Sequence, residues 1–237
     1  MLKISHLTKC FGDKTAVDDL SLHIAPGEIY GFIGHNGAGK TTTLKSVVGI
    51  QNFDSGEILI DGVSITEDPL SCKKKIAYIP DNPDMYEYMT GIKYLNFIAD
   101  VFGIGASDRQ ARIADYAERF EIRKNLAEPI AAYSHGMKQK LALVGAWLHS
   151  PKLIIMDEPF VGLDPKASHI LKEMMRGVCD SGGAIFFSTH VLEVAEKLCD
   201  KVAIIKQGRL IRSGSVEEVR GDESLEDVFL ELEAEQC

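Results

Sequence analysis

Residues 34–41 read GHNGAGKT, between the apolar run EIYGFI and the stretch TTLKSVV, which has helical composition. This is G-x-x-x-x-G-K-S/T in the strand–loop–helix setting that the pattern requires. Few features constrain a chain so tightly. Gly34, Gly37 and Gly39 let the backbone curl until its N–H groups converge on one point, which suits phosphate oxygens. The helix that follows aims its positive end at the same anion. In that geometry Lys40 reaches the β- and γ-phosphates and the Thr41 hydroxyl meets Mg²⁺. His35, Asn36, Ala38 and Thr42 complete the cradle. The pattern arises by accident in about one chain in a hundred of this length, given ordinary glycine usage. The flanking strand and helix lower that further.

A second constraint lies downstream. LIIMDEP is an apolar strand that ends in two carboxylates, which are costly at a buried tip without a partner. A bound cation removes the cost, so Asp157 is a candidate Mg²⁺ ligand. Glu158, one residue on, faces elsewhere and is a candidate base for an attacking water. AIFFSTH is another buried strand and brings His190 to its carboxyl end, the edge where open α/β sheets bind ligands. With VAIIK, these runs read as parallel strands buried on both faces. A crossover helix is expected over Pro165–Asp180, KQGRLI should turn and return, and Ser215 with Glu218 forms a capping box before a C-terminal helix.

The N-terminal part reads as LKISHL, TAVDDLSLHI and EIYGFIG, then a hairpin SGEILIDGVSI turning at Asp61-Gly62. Residues 85–150 differ: Thr90, Ser107 and Ser134 each open a helical pattern, and the third is apolar nearly all round from Leu141 to Leu148. The expectation is one domain over 1–237, with an α/β core and β lobe from 1–84 and 151–237 and a helical subdomain at 85–150. The net charge of −9 argues against a nucleic-acid platform. No apolar run approaches the roughly 18 residues of a membrane span, and the N-terminus lacks a signal-peptide core, which predicts a cytoplasmic protein. Cys10, Cys72, Cys179, Cys199 and Cys237 have no metal-binding spacing and read as reduced thiols.

The ordered set GHNGAGKTT, YSHGMKQ, LIIMDEP, VGLD and STH resembles the ATP-binding subunits of ABC transporters, over nearly the whole length. The tail SLEDVFLEL is similar to that of the short ATPases of exporter-type systems. The resemblance implies a phosphate-loop NTPase (RecA-like) core with an N-terminal antiparallel β lobe and an inserted helical subdomain. It implies an ATPase that uses ATP and Mg²⁺ and dimerises around ATP, with a second copy or a different ATPase chain. A separate transmembrane permease subunit would be driven, for export, placing this chain on the cytoplasmic face of the cell membrane. By the same resemblance Phe11 stacks on adenine, Val17 packs near it, Ser134 and Gly136 bind the γ-phosphate held by another subunit, and Asp164 links the two sites. Glu158 and His190 take the catalytic positions, and Asp81 stands where the family often has a glutamine that reaches the metal.

The signature differs from L-S-G-G-Q: Tyr133-Ser134-His135-Gly136-Met137 has no glutamine to touch the nucleotide. A Ser134–His135 hydrolase pair is the weaker reading, because adjacent residues rarely aim at each other and no G-x-S-x-G surrounds them. An ATPase of the same superfamily acting on nucleic acid or ribosomes is the alternative. It is disfavoured by the acidic charge and by the lack of a long coiled-coil insertion or a second ATPase half. A phosphate-loop kinase would lack YSHGMKQ and VGLD.

Overall fold

The computed structural model describes residues 1–234; Cys237 lies outside them. Strands β1 (Leu2–Phe11) and β2 (Lys14–Ile24) pair antiparallel across a turn at Gly12. Strand β3 (Ile29–Ile33) is buried at every position and runs through the glycine-rich loop into α1 (Lys40–Val47). Then β4 (Ser55–Ile60) and β5 (Val63–Ser64) form the expected hairpin. Asp61 and Gly62 both take positive φ, 52° and 77°, which a two-residue I′ turn demands. Two short elements follow that the apolar pattern did not signal, α2 (Pro69–Lys73), capped by Asp68, and β6 (Ile76–Ile79).

The helical stretch contains α3 (Gly91–Val101), α4 (Ala106–Arg119) and α5 (His135–Trp147). Thr90 caps α3 by accepting from the Lys93 N–H, and Ser134 caps α5 by accepting from the Met137 N–H. Ser107 does not open α4. The helix starts at Ala106, and Gly105 stands at the cap without a side-chain bond. α5 buries Leu141, Leu143, Val144 and Trp147, as its apolar circumference requires.

The chain returns through β7 (Leu153–Asp157), α6 (Pro165–Asp180), β8 (Ala184–Thr189), α7 (Leu192–Leu198), β9 (Lys201–Lys206) and β10 (Arg209–Ser215). It closes with α8 (Val216–Arg220), which carries the capping box, and α9 (Leu225–Ala234). There are two sheets among the described residues: an antiparallel one ordered β2-β1-β4-β5 and a larger one ordered β10-β9-β3-β8-β7-β6. In the larger sheet all neighbours are parallel except the β9–β10 edge pair. The fold is therefore α/β with an antiparallel lobe.

Fully buried Phe32 and Phe186 pack at 5.4 Å between ring centroids in the core the two sheets share, each burial contributing about 1.5–3 kcal/mol. The helices α3–α6 cover the other side of the parallel strands through Leu95, Leu141, Val144 and Leu171. The parallel register sets Asp157 opposite Ser188 and Ile33 opposite Thr189. The carboxyl ends of β3, β7 and β8 thus open onto one edge, and β6 leads to Asp81 beside them. The cysteines Cys10, Cys72, Cys179 and Cys199 are free thiols. Burial pushes the Cys179 thiol up to about 11.

Candidate functional site

The glycines of the loop have steric reasons. A Cβ on Gly34 would lie 2.5 Å from the Ile205 carbonyl oxygen, and one on Gly39 would lie 2.4 Å from that of Ala16. Gly39 also holds φ at 109°, a conformation L side chains rarely adopt. Gly208 N–H donates to Ala38 O at 2.9 Å, tying the loop to the turn between β9 and β10. Lys40, the first residue of α1, is 5% exposed. Its ammonium donates to the carbonyls of Gly34 at 2.6 Å and His35 at 3.3 Å, so the loop holds the charge over its own concavity.

A cleft of about 340 Å³ opens there. It is lined by Phe11, Lys14, Ala16, His35, Asn36, Gly37, Gly39, Lys40, Thr41, Thr42, Asp81, Asp157 and Glu158. A larger groove of about 700 Å³, beside Trp147 and Lys152, includes none of these residues. The cleft's polar lining makes it the better phosphate site despite its smaller size. Phe11 is half exposed, with the Lys9 ammonium 5.1 Å from its ring centre. Val17 is not brought to the cleft: it is fully buried in the core between the sheets, and Ala16 lines the cleft instead. Gly34 and Ala38 are buried and do not line the cleft.

Asp157 is 3% exposed and both its oxygens are occupied. Oδ2 accepts from Thr41 Oγ1 at 2.6 Å, and Oδ1 accepts from Ser188 Oγ. Glu158 adopts φ 48°, which is uncommon for a non-glycine residue and swings its side chain out of line with Asp157. Its N–H is held by Ser188, carbonyl at 3.2 Å and hydroxyl at 3.1 Å. Glu158 Oε2 lies 3.0 Å from His190 Nδ1 and Oε1 lies 3.6 Å from Lys40 Nζ, the latter without a hydrogen bond. The carboxylate therefore sits between a buried ammonium and a half-exposed imidazole, with Oε1 buried and making no hydrogen bond.

Two residues of this region were not singled out from sequence. Ser188 braces the Asp157 carboxylate and the Glu158 backbone N–H; its signal was a hydroxyl within a fully buried strand. The Tyr78 hydroxyl is buried without a partner, and its pKa is raised by burial, then by the nearby charges of Asp157 and Asp81.

A family model described as ABC transporter matches residues 17–161, which include the loop, the cleft's carboxylates and the stretch YSHGMKQ. The chain belongs to the ABC transporter family. It is 34% identical to the ABC-type transporter ATP-binding protein EcsA of Bacillus subtilis (strain 168), over all of this chain and 98% of that one. A solved ATP-binding subunit of an ABC transporter superposes with a TM-score of 0.94 at 34% identity, covering 98% of this chain and 99% of the other. A dimeric ATP-binding cassette, MJ0796, in a post-hydrolysis state with ADP and Pi shares the fold at 21% identity and TM-score 0.83, over 91% and 99% of the two chains. The protein is thus an ABC transporter ATP-binding subunit, and its activity is that of an ATPase.

The remaining sequence candidates of this ABC ATPase lie off the cleft. Ser134 and Gly136 stand at the start of α5, which begins at His135. A Cβ on Gly136 would meet the Gly162 carbonyl at 2.6 Å, and one on Gly162 would meet the His135 ring at 2.6 Å. YSHGM and VGLD therefore pack on each other, and His135 fits because its neighbour is glycine. Asp164 caps α6 through Oδ1, 2.8 Å from the Ala167 N–H, while Oδ2 accepts from Lys140 at 2.6 Å. Lys140 above all, with that N–H, holds the Asp164 carboxyl below its usual range.

Proposed function

We propose that this chain hydrolyses MgATP as one half of a head-to-tail dimer, and that closure and reopening drive a separate membrane-spanning subunit for export. The observation that carries this reading is a division. Lys40, Thr41, Asp157, Glu158 and His190 gather at one sheet edge, while Ser134, Gly136 and Asp164 form a second surface that does not line the cleft. A γ-phosphate in the cleft needs that second surface from another subunit, and a second copy of this chain supplies it. The free N–H groups at the start of α5 suit an anion.

Within the cleft, Phe11 stacks on the base and the loop amides with Lys40 hold the phosphates. The donor set fits Mg²⁺, which prefers hard oxygen ligands. Thr41 Oγ1 and Asp157 Oδ2 already converge, and Asp81 faces the same space. When bound, the ion would offset phosphate charge. Glu158 takes a proton from the attacking water, and His190 fixes its Oε2.

Among the described residues no helix is long and apolar enough to cross a membrane. Attachment at the cytoplasmic face of the cell membrane is therefore assigned to the partner. Tyr86, Tyr88 and Phe97 form an exposed aromatic cluster, with ring centroids 6.0 Å and 5.9 Å apart, and this is the surface assigned to the partner. The export direction rests on the likeness of the tail to short exporter-type ATPases. The test is detergent extraction of a tagged chain from its own cells. A permease-like membrane protein should co-purify and raise ATP hydrolysis, and recovery of ribosomes or nucleic acid instead would refute the reading.

A further inference from the structure

The C-terminal helix reaches the phosphate loop from behind. Phe229 of α9, 7% exposed, sets its ring against His35, with centroids 4.8 Å apart and planes at 61°. His35 is the loop residue whose carbonyl accepts from Lys40 Nζ at 3.3 Å and from the Ala38 N–H at 3.1 Å. Near the end of α9 the Leu232 carbonyl accepts from Lys206 Nζ at 3.0 Å. Lys206 ends β9, two residues before Gly208, whose N–H is bonded to Ala38. Two routes thus lead from α9 to one loop, through His35 and through Ala38.

The helix is itself anchored. Leu225 and Val228 are buried with Ile33, Val202 and Ile204, and the Leu225 N–H donates to Glu196 at 3.1 Å. None of the motifs that carry nucleotide binding in this chain lies in α9. We infer that Phe229 is a positioning residue for the phosphate loop: by holding the His35 ring it fixes the backbone whose carbonyl aims Lys40 and whose amides face the phosphates. The inference rests on the reading that residues 34–41 bind those phosphates.

The test is a double-mutant cycle on the full chain, read as the Kd of a labelled non-hydrolysable ATP analogue. Phe229→Leu keeps an apolar side chain in the cluster and removes the ring contact. It should weaken binding by about 2- to 10-fold, the range for one aromatic pair. His35→Ala should weaken it similarly, the double variant should lose little more than either, and Phe229→Tyr should retain wild-type affinity. Wild-type affinity in Phe229→Leu, with or without a lower Tm, would overturn the inference, as would fully additive losses. Lys40→Ala is the control. If it binds normally the phosphate-loop reading itself fails; if it loses binding while Phe229→Leu does not, only the role of α9 fails.

Discussion

Replacing Lys40 by alanine removes an ammonium that is buried in the cleft and held over the loop. Its nearest partners are the carbonyls of Gly34 and His35 and the Glu158 carboxylate at 3.6 Å. At an effective dielectric of about 20, a unit charge pair 4 Å apart is worth roughly 4 kcal/mol. A hydrogen bond to a charged group contributes about 1.5–3 kcal/mol net. Part of this is already committed to the carbonyls, so the expected loss in nucleotide binding is about 2–4 kcal/mol, roughly 30- to 1,000-fold in Kd. Removing the cation also leaves Glu158, 12% exposed, facing the phosphates without its counter-charge, which pushes in the same direction. Equilibrium binding of a labelled ATP analogue measures the change, with circular dichroism confirming that the variant is folded. A folded variant whose Kd stays within about threefold of wild type, under 1 kcal/mol, would refute the charge argument.

Phe11→Ala should weaken ATP binding by about 1–3 kcal/mol, the worth of one base–aromatic stack, without lowering Tm, because the ring is half exposed. Normal binding would place the adenine elsewhere. Gly39→Ala should cost about 2–5 kcal/mol in urea unfolding, since its Cβ meets Ala16 O as well as an unfavourable φ, whereas Gly37→Ala, with open space at φ 83°, should cost about 1–2 kcal/mol. Equal losses would show that the Ala16 contact is immaterial. Tyr88→Glu should abolish transport while sparing ATP hydrolysis by the isolated chain, because Tyr88 is 83% exposed; loss of folding or of that hydrolysis would show it is a packing residue.

Much of this arrangement was legible because it depends on local chemistry. Glycines at 34, 37 and 39, a lysine at 40 and a carboxylate pair after an apolar run specify loop, charge and sheet edge without knowledge of the fold. Strands buried on both faces announce themselves as unbroken apolar runs, and β3, β7 and β8 are buried throughout. What depends on long-range packing was not legible. α2 and β6 span five and four residues, too short for a periodicity to register. Val17 faces inward on a strand whose pairing shifts register near Lys9 and Cys10, so its side cannot be read by alternation. Ser188 braces Asp157 from 31 positions away. The contact between His35 and Phe229 spans most of the chain, and neither residue type announces it.

The most direct test of the central claim is light scattering of Glu158→Gln with and without ATP, alongside its hydrolysis rate. An amide cannot take the water's proton, while Lys40, Thr41 and Asp157 still hold the nucleotide. The variant should lose nearly all hydrolysis, and its mass should double in ATP and return to the monomer when ATP is removed. Adding Ser134→Arg, which places bulk at the start of α5, should abolish the dimer but not ATP binding. Hydrolysis at the wild-type rate, or an unchanged mass with ATP bound, would contradict the account.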